Sequence, residues 1–151
     1  MKRYFMTACI LLVSVTFALA GSHTAVTYQD DIRPLMESQC FMCHGDHAPS
    51  LEDFDADKEK YVNRNMGPRM TTYEEVKVFI KGDDAGAMMR RLDDGSNTAD
   101  GNPGNMYEYL GRTDEERQQR LSEFKEWVGY WTLKRSDELT DEDIQKFSIP
   151  E

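Results

Sequence analysis

Cys40-Phe41-Met42-Cys43-His44 constrains this chain more than any other feature. Two thiols three positions apart, with an imidazole directly after the second, match the attachment signature for haem c. Such a pair can add to both vinyl groups of one porphyrin, and the next residue then lies beneath the iron. Imidazole is the usual proximal ligand, binding through one ring nitrogen while the other donates a hydrogen bond. Cys40, Cys43 and His44 are therefore the candidate cofactor-binding residues, with His44 a metal ligand and one covalent haem c the expected cofactor. Two other chemistries use Cys-x-x-Cys. A zinc site needs four ligands, which a chain with 3 Cys and 3 His struggles to supply. A redox dithiol wants a βαβ pattern around it, and none is readable.

Haem is attached outside the bacterial cytoplasm, and the N-terminus fits that route. Lys2 and Arg3 precede an apolar run over residues 10–20, and Ala18-Leu19-Ala20 offers small residues for a signal peptidase ahead of Gly21. The run is too short to span a bilayer, which takes about 20 apolar residues. Residues 1–20 are read as a cleaved signal, leaving no stable membrane span and a periplasmic or otherwise exported protein. Cys9 departs with the signal, so Cys40 and Cys43 are the cysteines left. Losing Lys2 and Arg3 takes the formal charge from −10 to −12. A chain this acidic excludes nucleic acid and anionic membrane as charge-driven partners. It points to redox partner proteins with basic docking surfaces.

The readable elements are helical, and nothing alternates with period two for long enough to be a strand. Asp30 or Asp31 caps a short helix running toward Cys40, with Pro34 in its first turn. Residues 45–69, charged and interrupted by Pro49, Gly67 and Pro68, read as loop with at most one helical turn. Thr72-Tyr73-Glu74-Glu75 is a capping box for a helix that ends at Gly82, and a short helix covers residues 85–92. Residues 93–104 hold three Gly, one Pro and several Asn and Asp, so they form a surface loop. Their acidic residues lack the closing Glu and alternate spacing of a calcium loop. Thr113-Asp114-Glu115-Glu116 is a second capping box, and Leu121, Phe124, Val128 and Trp131 follow on one face. The fold class is all-α. Residues 21–133 form the domain, and residues 134–151 a polar C-terminal tail with one turn capped by Thr140.

Sulfur and imidazole side chains compete for the sixth position on the iron. His47 lies three residues after His44, on the proximal side, and His23 lies near the N-terminus. Met88 and Met89 sit on a helix beside Leu92 and read as core. Met106 follows the Gly101-Asn102-Pro103-Gly104-Asn105 loop and precedes the last strong helix, where a thioether can swing over the distal face. It is the first candidate. Met70 and Met66, flanking Gly67-Pro68, stay open as alternatives.

Asp31-Ile32-Arg33-Pro34-Leu35, followed by Cys40-Phe41-Met42-Cys43-His44-Gly45, resembles the opening of monohaem class I cytochrome c domains. It is most like the bacterial subset that begins Asp-Ile-Arg-Pro. The similarity continues through residues 81–92 and spans roughly residues 28–131. The resemblance implies a cytochrome c fold of a few helices around one haem, with Met106 as the ligand methionine. It also implies that Ile32, Leu35, Phe124, Val128 and Trp131 pack where the first and last helices cross. Tyr107 stands where the subset carries proline, and residues 134–151 have no counterpart.

The activity implied is one-electron transfer without a substrate of its own: an electron carrier, not an enzyme. Two other functions remain compatible with the residues. A haem-based sensor of small ligands would have an open or weak sixth site. The cytochrome subunit of a larger oxidoreductase would use residues 134–151 for docking.

Overall fold

In the computed structural model, which describes residues 25–151, every regular element is helical, with no strand among the described residues. The expected signal, residues 1–20, lies outside the described residues, as does His23. The chain enters through a π-helical turn, Tyr28–Ile32, that runs directly into α1, Arg33–Gln39. Thr27 is the cap, not Asp30 or Asp31. Its hydroxyl accepts from the Asp30 N–H at 3.2 Å, and the Asp31 carboxylate accepts from the Thr27 N–H at 2.8 Å. The helix starts early because Tyr28 and Ile32, one turn apart, are both buried in the core. Pro34 is the second residue of α1, where its missing N–H costs little.

Cys40 separates α1 from α2, Phe41–His44. Residues 45–69, expected as loop with at most one turn, contain two short helices, α3 (Leu51–Ala56) and α4 (Lys58–Val62). Ser50 caps the first and Asp57 the second, and Phe54 stacks on Tyr61 with centroids 6.2 Å apart. Neither helix completes two turns, so no apolar period exists to be counted. α5, Tyr73–Lys81, begins at the expected Thr72 capping box and ends at Gly82. α6, Ala87–Leu92, starts two residues late because Gly86 ahead of it takes a left-handed turn.

Residues 93–104 form the expected loop, followed by a 3-10 turn, Tyr107–Leu110, and the long helix α7, Asp114–Val128. Only half of the second capping box forms. Thr113 accepts from the Glu116 N–H, whereas the Glu116 carboxylate reaches back to the Arg112 N–H at 2.8 Å. The helix stops at Gly129, whose φ of +72° favours glycine, so Trp131 lies beyond it. Trp127 takes the core position instead. Ile32, Leu35, Phe124 and Val128 share one buried cluster, and Trp131 packs against it only partly buried.

Residues 134–151 carry the expected turn, α8 (Asp141–Gln145), behind a Thr140 capping box. The polar character expected of the rest does not hold, because Phe147 and Ile149 are buried in the core. The Pro150 carbonyl accepts from the Tyr28 N–H at 2.9 Å and from Trp127 Nε1–H at 2.8 Å. The Ile149 carbonyl accepts from the Tyr73 hydroxyl at 2.9 Å. The last residues thus join the first turn, α5 and α7.

Candidate functional site

The site is built on one helical turn. The Cys40 carbonyl accepts from the N–H groups of both Cys43 and His44 at 3.0 Å, which gathers two thiols and an imidazole on a single short element. Both cysteines are free and half-buried. Burial, reinforced by neighbouring Cys43, pushes the Cys40 thiol up to about 12.

Residues 67–70 run alongside that turn and fasten to it. The Gly67 N–H donates to the Cys43 carbonyl at 3.0 Å, and the Met70 N–H to the His44 carbonyl at 2.9 Å. His44 Nδ1 lies 2.7 Å from the Pro68 carbonyl, so this nitrogen carries the proton and donates. Nε2 is left as the unprotonated, electron-pair-bearing atom. Burial lowers the pKa of His44 below its ordinary value; the Pro68 bond opposes that shift, and the charge of Arg91 adds to it. The imidazole is thereby kept in the neutral form that binds metals.

Gly67 makes this close approach possible. A Cβ on it would lie 2.1 Å from His44 Cε1 and 2.6 Å from Nδ1. Gly67 and Pro68 are the functional residues that reading the sequence missed, since they registered only as loop punctuation. The signal was present: a Gly-Pro pair combines close backbone approach with a carbonyl on a residue whose ring fixes φ.

The sixth-ligand candidates separate clearly. Met36, Met88 and Met89 are buried in the core, whereas Met42 is 86% exposed. Met70 belongs to the segment fastened to the histidine turn, and Met66 directly precedes it. His47 is exposed, with Nε2 3.0 Å from the Met42 carbonyl. Met106 is half-buried against the core cluster, and its N–H donates to the Arg91 carbonyl at 2.9 Å. The carboxylates of the 93–104 loop are engaged in hydrogen bonds, within the loop and to more distant residues. Asp93 is buried and accepts from Gly95, Asn97 and Trp131 Nε1, and Asp100 accepts from Asn102.

A covalent haem fits these residues: two unpaired thiols on one turn, an oriented neutral imidazole, and a glycine cradle behind the ring. Comparison with known proteins agrees. A family model described as PccH cytochrome c matches residues 27–149. The structure of the monohaem cytochrome PccH from Geobacter sulfurreducens is similar at 43% identity and a TM-score of 0.80, covering 85% of this chain and 100% of that one. No curated protein matches the chain. Since the family match extends from the cap of the first turn to the buried Ile149, and takes in the whole histidine cradle, the chain belongs to the PccH cytochrome c family, an all-α monohaem cytochrome with one covalently attached haem c.

Proposed function

We propose that the protein is a periplasmic one-electron shuttle: Cys40 and Cys43 hold the haem, His44 Nε2 is the proximal ligand, and Met106 is the sixth. The haem supplies one-electron chemistry when bound, and the chain orients it, tunes it and shields it from water. The observation that carries this reading is the bond from His44 Nδ1 to Pro68, which fixes the tautomer and leaves Nε2 unprotonated and free to bind iron. The same cradle argues against Met66 and Met70, because residues 67–70 are fastened on the histidine's own side. With three methionines in the core and Met42 turned to solvent, Met106 is the thioether best located for the distal face. Histidine–methionine ligation closes the iron and raises its potential relative to bis-histidine, which suits transfer over ligand binding.

The apolar start of the sequence supports export, where haem attachment takes place. Exposed Asp46, Glu52, Asp53, Asp55, Asp57 and Glu59 outnumber exposed Lys58, Lys60 and Arg64 just after His44, which supports a redox partner with a basic face. An absorption spectrum of the ferric protein tests the ligand set. The expected result is the weak far-red band of methionine ligation in wild type and its loss in Met106→Ala. A wild-type iron that is high-spin, and that binds carbon monoxide rapidly once reduced, overturns the shuttle in favour of a small-ligand sensor.

A further inference from the structure

Met106 opens onto the 3-10 turn Tyr107–Leu110, and α7 grips that turn from one side. One amide nitrogen, Gln118 Nε2, donates to the Tyr107 hydroxyl at 2.8 Å and to Asp94 Oδ2 at 3.0 Å. Asp94 is itself fixed, its other oxygen accepting from the Ser96 hydroxyl at 2.6 Å and the Ser96 N–H at 3.1 Å. Arg117 lies over the Tyr107 ring, 5.9 Å from its centroid, and donates to the Gly111 carbonyl at 3.0 Å. The Tyr107 N–H closes onto the Gly104 carbonyl at 3.0 Å, a bond proline could not make.

Nothing about forming α7 asks for glutamine at this exposed position. Yet both hydrogens of its amide are committed to other segments, one before the Met106 loop and one just after it. We propose that Gln118 is a positioning residue for the sixth ligand: by tying Tyr107 to Asp94, it holds the Met106 segment in place from both sides. The proposal rests on the reading of Met106 as that ligand. A thioether is a neutral, weak donor, so freedom gained by its segment appears directly as sixth-site opening.

The test uses the haem-loaded protein and four variants: Gln118→Leu, Tyr107→Phe, the double variant and Met106→Ala. Two readouts follow the sixth site, namely the far-red methionine band of the ferric form and the rate of carbon monoxide binding to the ferrous form. Gln118→Leu and Tyr107→Phe each weaken the band and speed carbon monoxide binding roughly five- to tenfold, the weight of one lost hydrogen bond. The double variant goes no further than either single one, since all three break the same link. Tyr107→Phe removes only a hydroxyl, so it keeps the test sound if Gln118→Leu lowers overall stability. If Met106→Ala abolishes the band while both clamp variants keep the wild-type band and rate, the proposal is overturned and the ligand reading stands. If Met106→Ala retains the band, the ligand reading falls and takes the clamp with it.

Discussion

At Gly67 the backbone supports the His44 ring directly, with space for a hydrogen and none for a methyl group. Gly67→Ala forces either the ring or residues 67–70 to move, and both are tied, the ring to Pro68 and the segment to Cys43 and His44. Overpacking of this kind costs about 1–3 kcal/mol. On the proposed ligation, the larger effect falls on haem binding, because a displaced imidazole would no longer hold the iron through Nε2. Gly67→Ala is expected to load less haem, read as a lower ratio of Soret to protein absorbance, and to melt earlier than wild type. Equal loading and an unchanged melt would show that the ring is not seated on Gly67. Asp93 works at the same scale by a different route. Burial raises its carboxyl, but bonds from Asn97, Trp131 and Gly95 outweigh that and hold it ionised below its ordinary value. Trp131 was expected on the face of α7, yet Gly129 turns the chain first and sends the indole to this carboxylate.

Among the elements, α8 shows how a short polar helix can matter to a distant core. It has five residues, too few to stand alone, and leans on Asp143. That carboxylate accepts from Lys134 Nζ at 2.7 Å, from the Tyr130 hydroxyl at 2.9 Å and from the Thr140 N–H at 3.1 Å. The Lys134 bond, then those from Thr140 and Tyr130, holds its carboxyl well below the usual range. A depressed folded-state value means stabilisation that is complete above the unfolded carboxyl value, about 3.9, and fades as pH falls below it. Lys134 is shifted upward by the same bond, so its share is lost only at strongly alkaline pH. Asp143→Asn should therefore lower the melting temperature at neutral pH and narrow its gap from wild type as pH drops through about 4 toward about 2. A gap that stays constant across that range would remove the ionised Asp143 from the account. Downstream of α8 the chain delivers Phe147 and Ile149 to the core, so a loosened α8 also loosens the contacts of Tyr28, Tyr73 and Trp127 with the last residues.

For the whole molecule, charge is the property that acts farthest from the surface. The full sequence carries a formal −10. With 28 acidic against 18 basic residues in the sequence, encounter with a basic redox partner should slow as salt rises. Electron-exchange rates with such a partner, measured from low to high ionic strength, are expected to fall at least roughly tenfold over a range in which the Debye length shrinks from about 30 Å to about 3 Å. A flat profile would mean that docking does not use this charge.

What the sequence determined by itself is local chemistry and local geometry. Cys40, Cys43 and His44 are adjacent in the chain, so their convergence needs only one helical turn. The Thr72 and Thr113 caps, the Gly82 stop and the 93–104 loop are likewise decided within four or five residues, by hydrogen bonds that short segments make to themselves. Tertiary structure alone decided the rest, because each remaining feature depends on residues far apart in sequence. Whether Gly67-Pro68 is a loop or a histidine cradle depends on a partner 24 residues earlier. Whether residues 147–150 are tail or core depends on Tyr28, Tyr73 and Trp127 being there to receive them. The tie from Gln118 to Tyr107 and Asp94 crosses two chain segments that no spacing rule connects. A pattern in the sequence records which groups can bond nearby, whereas burial and close approach are set only when the whole chain has chosen its neighbours.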